Sequence, residues 1–428
     1  MFSFEPYEDG IRLTGYEGEE TDLLIPEAME GKKVRCLGKR MFFDHGMALE
    51  RVVVPEGVKV IEEACFEGCF ALHELVLSES LEFLGREFAA MTDLETVHVP
   101  SGVRQMEGIG VMEPDLDIDE ANPYYFSDGY GIYHKAEDGY ELCGVSGHHQ
   151  EERYAVKEGT VTIRTEAFHN ASSLKHVILP ASLKEIEENA LQASGLGMMA
   201  RRNAMVFETH DNDHVFLVDG SLLQKKEDGL ELVLYGGHDV HLRVPSDITE
   251  IGTGACRCCG IEGLVINETV KRIHPDAFYG NPMKEAWIDG YHLLFPRSGT
   301  VLGPDLVSGF GRNGKRYDIE EYDRKLSVGL ITADRVRMMV HRLLEPKDLK
   351  EEHAEAFRAI LKEHLEECVK ESAALDDADS VQGMLDLGII QTEAIDACLR
   401  ICEEAGSREC TARIIKASSG QQEDSFEL

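Results

Sequence analysis

Apolar and polar positions repeat along most of this chain with a period of 22 or 23 residues. Between positions 49 and 100 the repeat is clear: leucine recurs at 49, 72 and 94, and a proline or serine follows each of them six residues later. A period of this size is typical of one supersecondary unit stacked on copies of itself. We therefore predict a repeat protein in which each unit packs against its neighbours.

The first half of each unit predicts a short strand. Apolar residues stand at its first, fourth and sixth positions, and a proline or another turn-forming residue follows. Alternation before a turn is typical of a strand with one face toward the core. The predicted inward columns are Leu49, Leu72, Leu94, Leu174, Ile261 and Met283; then Val52, Leu75, Val97, Val177, Leu264 and Ala286; and then Val54, Leu77, Val99, Leu179, Ile266 and Ile288.

The second half of each unit supplies three further columns. We expect all three to stack in the core, because identical positions meet when units stack. The first is Leu37, Ile61, Leu84, Ile163, Ile186, Ile251 and Ile273. The second, an aromatic ladder, is Phe42, Phe66, Phe88, Phe168, Leu191, Cys256 and Phe278. The third holds small or polar residues at His45, Cys69, Met91, Ala171, Ser194, Cys259 and Asn281.

Hairpins interrupt the units. Asp-Gly pairs flanked by apolar residues predict tight turns, because the central residues of such turns need positive φ. One pair lies at Asp9-Gly10, and the inserts 124–142 and 216–232 carry two pairs each. A further pair, Asp289-Gly290, begins a partial copy of the insert. The chain therefore has a longer period of roughly 90 residues, an insert plus two units.

The pattern changes after residue 302. Residues 303–325 are rich in Gly, Asp and Arg and predict a linker or irregular cap. Apolar spacing then becomes helical from Thr332, and we expect a small all-α domain over 326–417. Within it, a long helix is predicted from Asp348 to about residue 374, and the polar segment 418–428 is expected to be a flexible tail.

The unit L-x-x-V-x-L-P-x-x-L-x-x-I-x-x-x-A-F-x-x-C, followed closely by residues 49–69 and 174–191, resembles the BspA-like leucine-rich repeat family. The resemblance covers about residues 2–300. It implies an α+β fold: a β-rich leucine-rich-repeat solenoid with hairpin inserts over 1–302, followed by the small all-α helical domain. It also implies a ligand-presenting surface and no catalytic motif. Residues 380–417 are loosely similar to paired helices of ankyrin type and imply helices stacked side by side.

Charge and cysteine content restrict the classes of partner and the cellular compartment that we expect. The chain has 43 Lys plus Arg against 80 Asp plus Glu, a formal charge of −37, which disfavours nucleic acid and anionic lipid as partners. We expect no membrane insertion, because no run of 18 apolar residues occurs. The opening residues lack a basic region followed by an apolar one, so we expect a cytoplasmic protein whose 11 cysteines are reduced.

Candidate chemistry is sparse. Cys256, Cys258 and Cys259 lie near His274 in sequence, but a second pair of cysteines at zinc-site spacing is missing. The acidic run 376–379 lacks the spacing of a calcium loop and is better explained as a helix N-cap. The sequence has no H-E-x-x-H, P-loop or G-x-S-x-G motif. We therefore predict no catalytic residues, no cofactor and no metal.

One surface is a candidate for binding. The strand position between the two last inward columns points outward and is often apolar, which either marks an interaction surface or reflects the β-propensity of branched residues. The chain's single tryptophan lies in this stripe, and aromatic residues dominate binding hot spots. The predicted function is non-catalytic protein–protein interaction; the alternative is a cell-surface adhesin or host-ligand binder. The predicted binding residues are Val53, Val76, His98, Ile178, Val265 and Trp287.

Overall fold

The computed structural model describes residues 1–43, 48–148, 151–191, 206–297 and 302–424, and the side chains up to residue 418. The chain forms two compact units, Met1–Lys225 and Lys226–Leu428. The predicted core positions His45 and Ser194 lie outside the described residues.

In the first unit, short parallel strands of successive repeats pair with one another, and each repeat contributes to two sheets. The strands from the first halves of the repeats form the sheets β3-β6-β8, β10-β12 and β16-β18-β20. These strands are β3 (Asp22–Leu24), β6 (Arg51–Val53), β8 (Glu74–Val76), β10 (Thr96–Val99), β12 (Asp115–Ile118), β16 (Arg153–Ala155), β18 (His176–Leu179) and β20 (Val206–Thr209).

The second halves of the repeats and the hairpins supply the remaining strands of this unit. In each sheet of this unit that contains a hairpin, the antiparallel hairpin strands come first and the parallel strands of the repeats follow them. The strands are β1 (Phe2–Tyr7), β2 (Gly10–Tyr16), β4 (Ala28–Met29), β5 (Lys32–Leu37), β7 (Val60–Ile61), β9 (Phe83–Leu84), β11 (Gln105–Met106), β13 (Tyr125–Ser127), β14 (Gly131–Ala136), β15 (Gly139–Val145), β17 (Thr160–Ile163), β19 (Glu185–Ile186), β21 (Val215–Val218) and β22 (Ser221–Lys226).

The second unit continues the strand repeats and then becomes helical. Strands β23 (Gly229–Leu234), β25 (Ile248–Ile251) and β27 (Arg272–Ile273) are parallel neighbours. Strands β24 (His241–Arg243), β26 (Gly263–Val265) and β28 (Glu285–Ile288) form a second parallel set, which the antiparallel β29 (Tyr291–Leu294) extends. The helices are α1 (Leu302–Val307), α2 (Ile319–Leu326), α3 (Ala333–Leu344), α4 (Glu351–Glu363), α5 (Leu365–Ala374), α6 (Ala378–Asp386), α7 (Ile395–Glu404) and α8 (Arg408–Asp424).

The burial of the predicted columns confirms the repeat register. Every residue of the three inward strand columns is buried, as are all members of the aromatic ladder. The rings of Phe42 and Phe66 stack with centroids 5.0 Å apart and planes 7° from parallel. The third column is only partly right. Met91 was expected in the core but is 48% exposed, at a residue with a positive φ of 58°, and Cys259 is only half-buried.

The Asp-Gly pairs do not all occupy the same position in their turns. Asp219-Gly220 provides both central residues of its turn, with φ of 49° and 78°, as the sequence predicted. Asp9-Gly10 is shifted by one residue: Tyr7 pairs with Gly10, so Glu8 and Asp9 make the turn. Glycine is needed at position 10 for a different reason, because a Cβ there would lie 2.2 Å from the carbonyl oxygen of Lys33.

An asparagine lies at the end of each repeat that precedes an insert: Asn122 is buried and Asn212 is half-buried. The Asn122 amide donates to the carbonyls of Pro100 and Val103 at 3.2 and 2.9 Å, and its oxygen accepts from the backbone of Tyr124 and Tyr125. Asn212 makes the equivalent four bonds. Each side chain therefore satisfies backbone groups that a strand ladder would otherwise satisfy. The two copies lie 90 residues apart, which supports the longer period.

The helical region differs from expectation in places. Residues 303–325, predicted to be linker or irregular cap, contain most of α1 and nearly all of α2. The predicted long helix is interrupted at His364, where φ and ψ are −113° and 29°, giving α4 and α5. Helix α8 continues to Asp424, beyond the predicted start of the tail at 418. The predicted helix start is confirmed at Thr332, whose side chain accepts from the backbone N–H of Arg335.

The helices that follow the strand repeats pack side by side. Helix α3 contacts α5 and α6, α5 contacts α7, and α6 contacts α8, which agrees with helices stacked side by side. A buried ion pair joins α2 to α3: the Arg342 guanidinium donates to both carboxylate oxygens of Asp323 at 2.7 and 2.8 Å. Asp377, in the acidic run, caps α6 through the backbone N–H of Ser380, as the helix-cap reading predicted.

Candidate interaction surface

The outward side of the sheet β3-β6-β8 carries a row of apolar side chains. The three strands pair in register, so Leu24, Val53 and Val76 stand side by side. Leu24 is 69% exposed and Val76 is 39% exposed, with Val53 half-buried between them. We call these three residues the apolar row. They present apolar surface to solvent across three neighbouring strands.

A row of charged residues runs beside the apolar row on the same side of this sheet. Asp22, Arg51 and Glu74 are paired in register. The Arg51 guanidinium lies 3.5 Å from the Asp22 carboxylate and 2.9 Å from that of Glu74. Its hydrogen bond to Glu74 raises the pKa of Arg51. The charged row therefore neutralises part of its own charge and leaves one excess acidic group.

The outward face becomes polar in the next repeats of the first unit. His98 on β10 stands beside Asp117 on β12, and its Nδ1 lies 2.8 Å from a carboxylate oxygen of Asp117. Ile178 on β18 is half-buried and stands between Ala155 and Glu208. Neither predicted residue belongs to an extended apolar run. The stripe that the sequence predicted is thus interrupted within the first unit.

In the second unit, the outward face ends in an aromatic and imidazole cluster. Val265 stands between Arg243 and Trp287, and Trp287 pairs across the antiparallel turn with His292. The indole stacks on the His292 ring with centroids 4.4 Å apart and planes 6° from parallel, and Trp287 remains 39% exposed. The rings of His292 and of His341 on α3 are nearly perpendicular, with centroids 4.7 Å apart. Trp287 is therefore both exposed and linked to the helical region through His292.

The six predicted binding residues do not form one cluster within either unit. The structure brings Val53 and Val76 together in the first unit and Val265 and Trp287 together in the second. His98 and Ile178 lie on two other sheets of the first unit. How the residues of the two units would combine in binding stays a prediction.

Burial suppresses the reactivity of several thiols. It raises the pKa of both Cys36 and Cys69 to about 12, and it raises the pKa of the fully buried Cys256 well above its ordinary value. Thiolate is the nucleophile and metal ligand, so these thiols are poor candidates for either role. His274, considered as a partner of the Cys256 cluster, instead places its Nε2 2.5 Å from the Glu250 carboxylate.

The first unit also has a polar groove of about 700 Å³. Its charges are largely paired with one another: Arg86 lies 2.9 Å from Glu166, and Arg164 lies 3.3 Å from Glu141. A ligand would have to compete with these ion pairs. The groove is therefore a weaker candidate than the apolar row.

Sequence reasoning missed two sets of exposed or clustered residues. Phe43 and Phe70 are each 53% exposed in consecutive repeats, one and four residues after the ladder residues Phe42 and Phe66. A second aromatic residue after the ladder position was the available signal. It also missed the grouping of His292, His341 and Glu345. The spacing of four residues between His341 and Glu345 was visible, but their contact with the strand was not.

No helix in the described part of the chain is both long enough and apolar enough to span a bilayer. None of the curated proteins matches this chain. Solved structures similar to it include a leucine rich cell surface protein from Faecalibacterium prausnitzii, with 16% identity, a TM-score of 0.37, and coverage of 68% of this chain and 93% of that one.

Two further solved structures show lower TM-scores. A leucine-rich repeat protein from Bacteroides capillosus has 25% identity and a TM-score of 0.24, with coverage of 28% of this chain and 94% of that one. The pneumococcal vaccine antigen PcpA has 16% identity and a TM-score of 0.33, with coverage of 67% of this chain and 68% of that one.

The family model for the BspA type leucine rich repeat region matches in six copies, over residues 29–108, 150–203 and 239–285. These ranges contain the core columns whose burial is described above, except for Ala286 and Ile288. The repeats within these three ranges match the BspA type leucine rich repeat region, and a helical C-terminal region follows them.

Proposed function

We propose that this protein is a non-catalytic protein-binding module and that the apolar row Leu24, Val53 and Val76 is its contact surface. The observation that carries the proposal is the exposure of Leu24 and Val76, at 69% and 39%, on either side of Val53. Contiguous exposed apolar surface tends to mark interaction sites.

The alternative explanation of the apolar row is β-propensity alone. Valine favours strands wherever its side chain points, so Val53 and Val76 fit that explanation. Leu24 does not fit it as well, because leucine is not branched at Cβ and gains less from an exposed strand position. An exposed leucine at the end of a row of valines is better explained by contact with a partner.

The charge of the chain narrows the class of partner. The formal net charge is −37, and the row beside the apolar residues has two carboxylates for one guanidinium. A matching protein surface would have an apolar centre and a basic rim, because complementary potentials speed association and exclude wrong partners. We therefore propose a basic or locally basic protein as partner, and we expect binding to weaken as salt rises.

Affinity capture on the immobilised full chain, with each captured protein quantified, tests this proposal. The variant Val76→Asp places a charge at an exposed end of the apolar row and should reduce capture of the true partner by at least about tenfold, the equivalent of 1.4 kcal/mol. The matched control is Val206→Asp. Val206 is 54% exposed on β20, so the same change is made at an exposed strand position of another sheet.

The proposal predicts a protein that wild type and Val206→Asp capture equally and that Val76→Asp loses. Equal capture by all three chains would show that the apolar row is not the contact surface. If Ile178→Asp loses the partner and Val76→Asp retains it, the contact surface lies on the sheet β16-β18-β20. Binding only to glycans or extracellular matrix would favour the adhesin alternative instead.

A further inference from the structure

A strand and a helix of the second unit bring three possible metal ligands together. His292 lies on β29, His341 lies in the last turn of α3, and Glu345 is the C-cap of that helix. Residues four apart on a helix share a face, so His341 and Glu345 are directed to the same side. Among the described residues, this is the one group of at least three His, Cys, Asp or Glu side chains whose ligand atoms all lie within 4.8 Å of one another.

We propose that His292, His341 and Glu345 form a binding site for a divalent transition-metal ion of the zinc class. Two imidazoles and one carboxylate suit Zn²⁺, and they also suit Ni²⁺ and Cu²⁺. The sequence alone predicted no metal, because its candidate ligands were the cysteines near residue 256. The site proposed here uses none of those thiols.

The geometry requires only small movements. Ligand atoms around a tetrahedral zinc ion lie roughly 3.3 Å apart, from metal–ligand distances of about 2.0–2.1 Å. His341 Nε2 and Glu345 Oε2 are already 3.7 Å apart, and Glu345 is exposed at a helix end, where its side chain is free to turn inward. Three protein ligands with one exposed member leave a further position for water or for a group from a partner.

Neighbouring groups also fit a metal site. The Glu285 carboxylate lies 3.4 Å from Nε2 of His292. A carboxylate beside a ligating histidine orients the ring and raises its basicity. His341 Nε2 lies 2.9 Å from the carbonyl oxygen of His292, and a metal bound through that nitrogen would replace this hydrogen bond. The site would therefore exchange one hydrogen bond for a metal–ligand bond.

The single tryptophan of the chain makes the site easy to observe. Trp287 stacks on His292 at 4.4 Å, so its fluorescence should respond to an ion at this position. Cu²⁺ or Ni²⁺ bound there should quench the indole emission, whereas ions bound elsewhere should quench it weakly. Quenching of Trp287 fluorescence therefore reports where the ion binds as well as whether it binds.

The test uses the full chain freed of metal with a chelator. Titration with Cu²⁺ or Ni²⁺, followed by Trp287 fluorescence, should show saturable quenching at one equivalent, and Zn²⁺ should compete for the same equivalent. Glu345→Gln and His292→Ala should each weaken binding by at least about tenfold. His98→Gln removes an exposed strand histidine of the first unit and should leave binding unchanged.

Two further measurements keep the result decisive if a variant is poorly folded. Saturating Zn²⁺ should raise the midpoint of thermal unfolding of the wild type, because an ion that binds only the folded state stabilises it. Glu345→Gln alters an exposed residue and should lose this rise while keeping the metal-free midpoint. Absence of one-equivalent binding would overturn the proposal. So would binding that survives Glu345→Gln and His292→Ala but is lost in Cys258→Ser, since that result would assign the ion to the cysteine cluster.

Discussion

The sheets β3-β6-β8 and β24-β26-β28 have the same architecture and different outward chemistry. In both, the inward side chains are buried and the strands pair in parallel register. The outward position holds Leu24, Val53 and Val76 in the first sheet. In the last sheet the same position holds Arg243, Val265 and Trp287, and His292 follows on the antiparallel strand.

This difference shows that stacking restricts which residues can occupy the inward side of each strand and leaves the outward side free to vary. An inward residue must fit the copies above and below it, so its size and polarity are restricted. An outward residue meets solvent and its neighbours in the same row. The first sheet carries exposed apolar side chains at this position, and the last sheet carries an aromatic and imidazole cluster beside a helix.

The largest expected effect is on the packing beneath the first sheet. Phe66 is fully buried and stacks on Phe42, so Phe66→Ala should lower the free energy of unfolding by about 3–5 kcal/mol. Denaturant unfolding followed by circular dichroism measures this. Phe70→Ala removes a ring that is 53% exposed and should cost less than about 1 kcal/mol. Similar costs for both variants would mean that the aromatic ladder is assigned to the wrong face.

A comparable effect is expected in the helices that follow the last sheet. The Arg342 and Asp323 side chains are each 2% exposed and form a two-pronged ion pair. Asp323→Asn leaves a buried guanidinium without its counter-ion and should destabilise the fold by about 3–5 kcal/mol. Glu320→Gln breaks an ion pair with Lys350 whose side chains are more than half exposed, and it should cost less than about 1 kcal/mol. Trp287 fluorescence during unfolding follows this unit.

The inward residues of the repeats were predictable from sequence because they obey a period. Leu49, Val52 and Phe66 could be placed in the core from spacing alone. The contacts of outward residues were not predictable in the same way. His98 and Ile178 occupy the outward position, as expected, but their neighbours Asp117 and Glu208 come from strands whose repeats lack the full pattern.

The helical region shows a second limit on what could be predicted from the sequence. Helix caps at Thr332 and Asp377 could be read from local sequence, since capping depends on a few adjacent residues. The approach of His341 to His292 joins positions 49 residues apart and depends on how α3 packs on β29. No local pattern encodes that approach.

A smaller effect, dependent on pH, is expected at Glu250 in the second unit. Burial raises the pKa of this carboxyl, but hydrogen bonds from His274 and Arg272 outweigh burial, and the net shift of the pKa is downward. Because the pKa is lower in the folded state, the carboxylate stabilises the fold above the unfolded-state pKa of about 4.3. That contribution is lost as pH falls through the folded-state value.

Glu250→Gln should therefore destabilise the protein by roughly 1–2 kcal/mol near neutral pH, the scale of a hydrogen bond to a charged group. The difference from wild type should shrink as pH falls from about 5 toward 3. Urea unfolding at a series of pH values measures the difference. A gap that is constant over this range, or that widens as pH falls, would contradict the assigned role of the carboxylate.

The central claim is that neighbouring residues of one strand have separate tasks, folding inward and binding outward. Leu75 and Val76 on β8 are adjacent, 7% and 39% exposed, and the same substitution can be made at each. The decisive measurement is unfolding free energy and partner capture for Leu75→Asp and Val76→Asp side by side. We predict that Leu75→Asp costs more than about 3 kcal/mol, whereas Val76→Asp costs less than about 0.5 kcal/mol and still loses the partner. Comparable destabilisation by both, or a stable Val76→Asp that captures the partner as wild type does, would contradict the account.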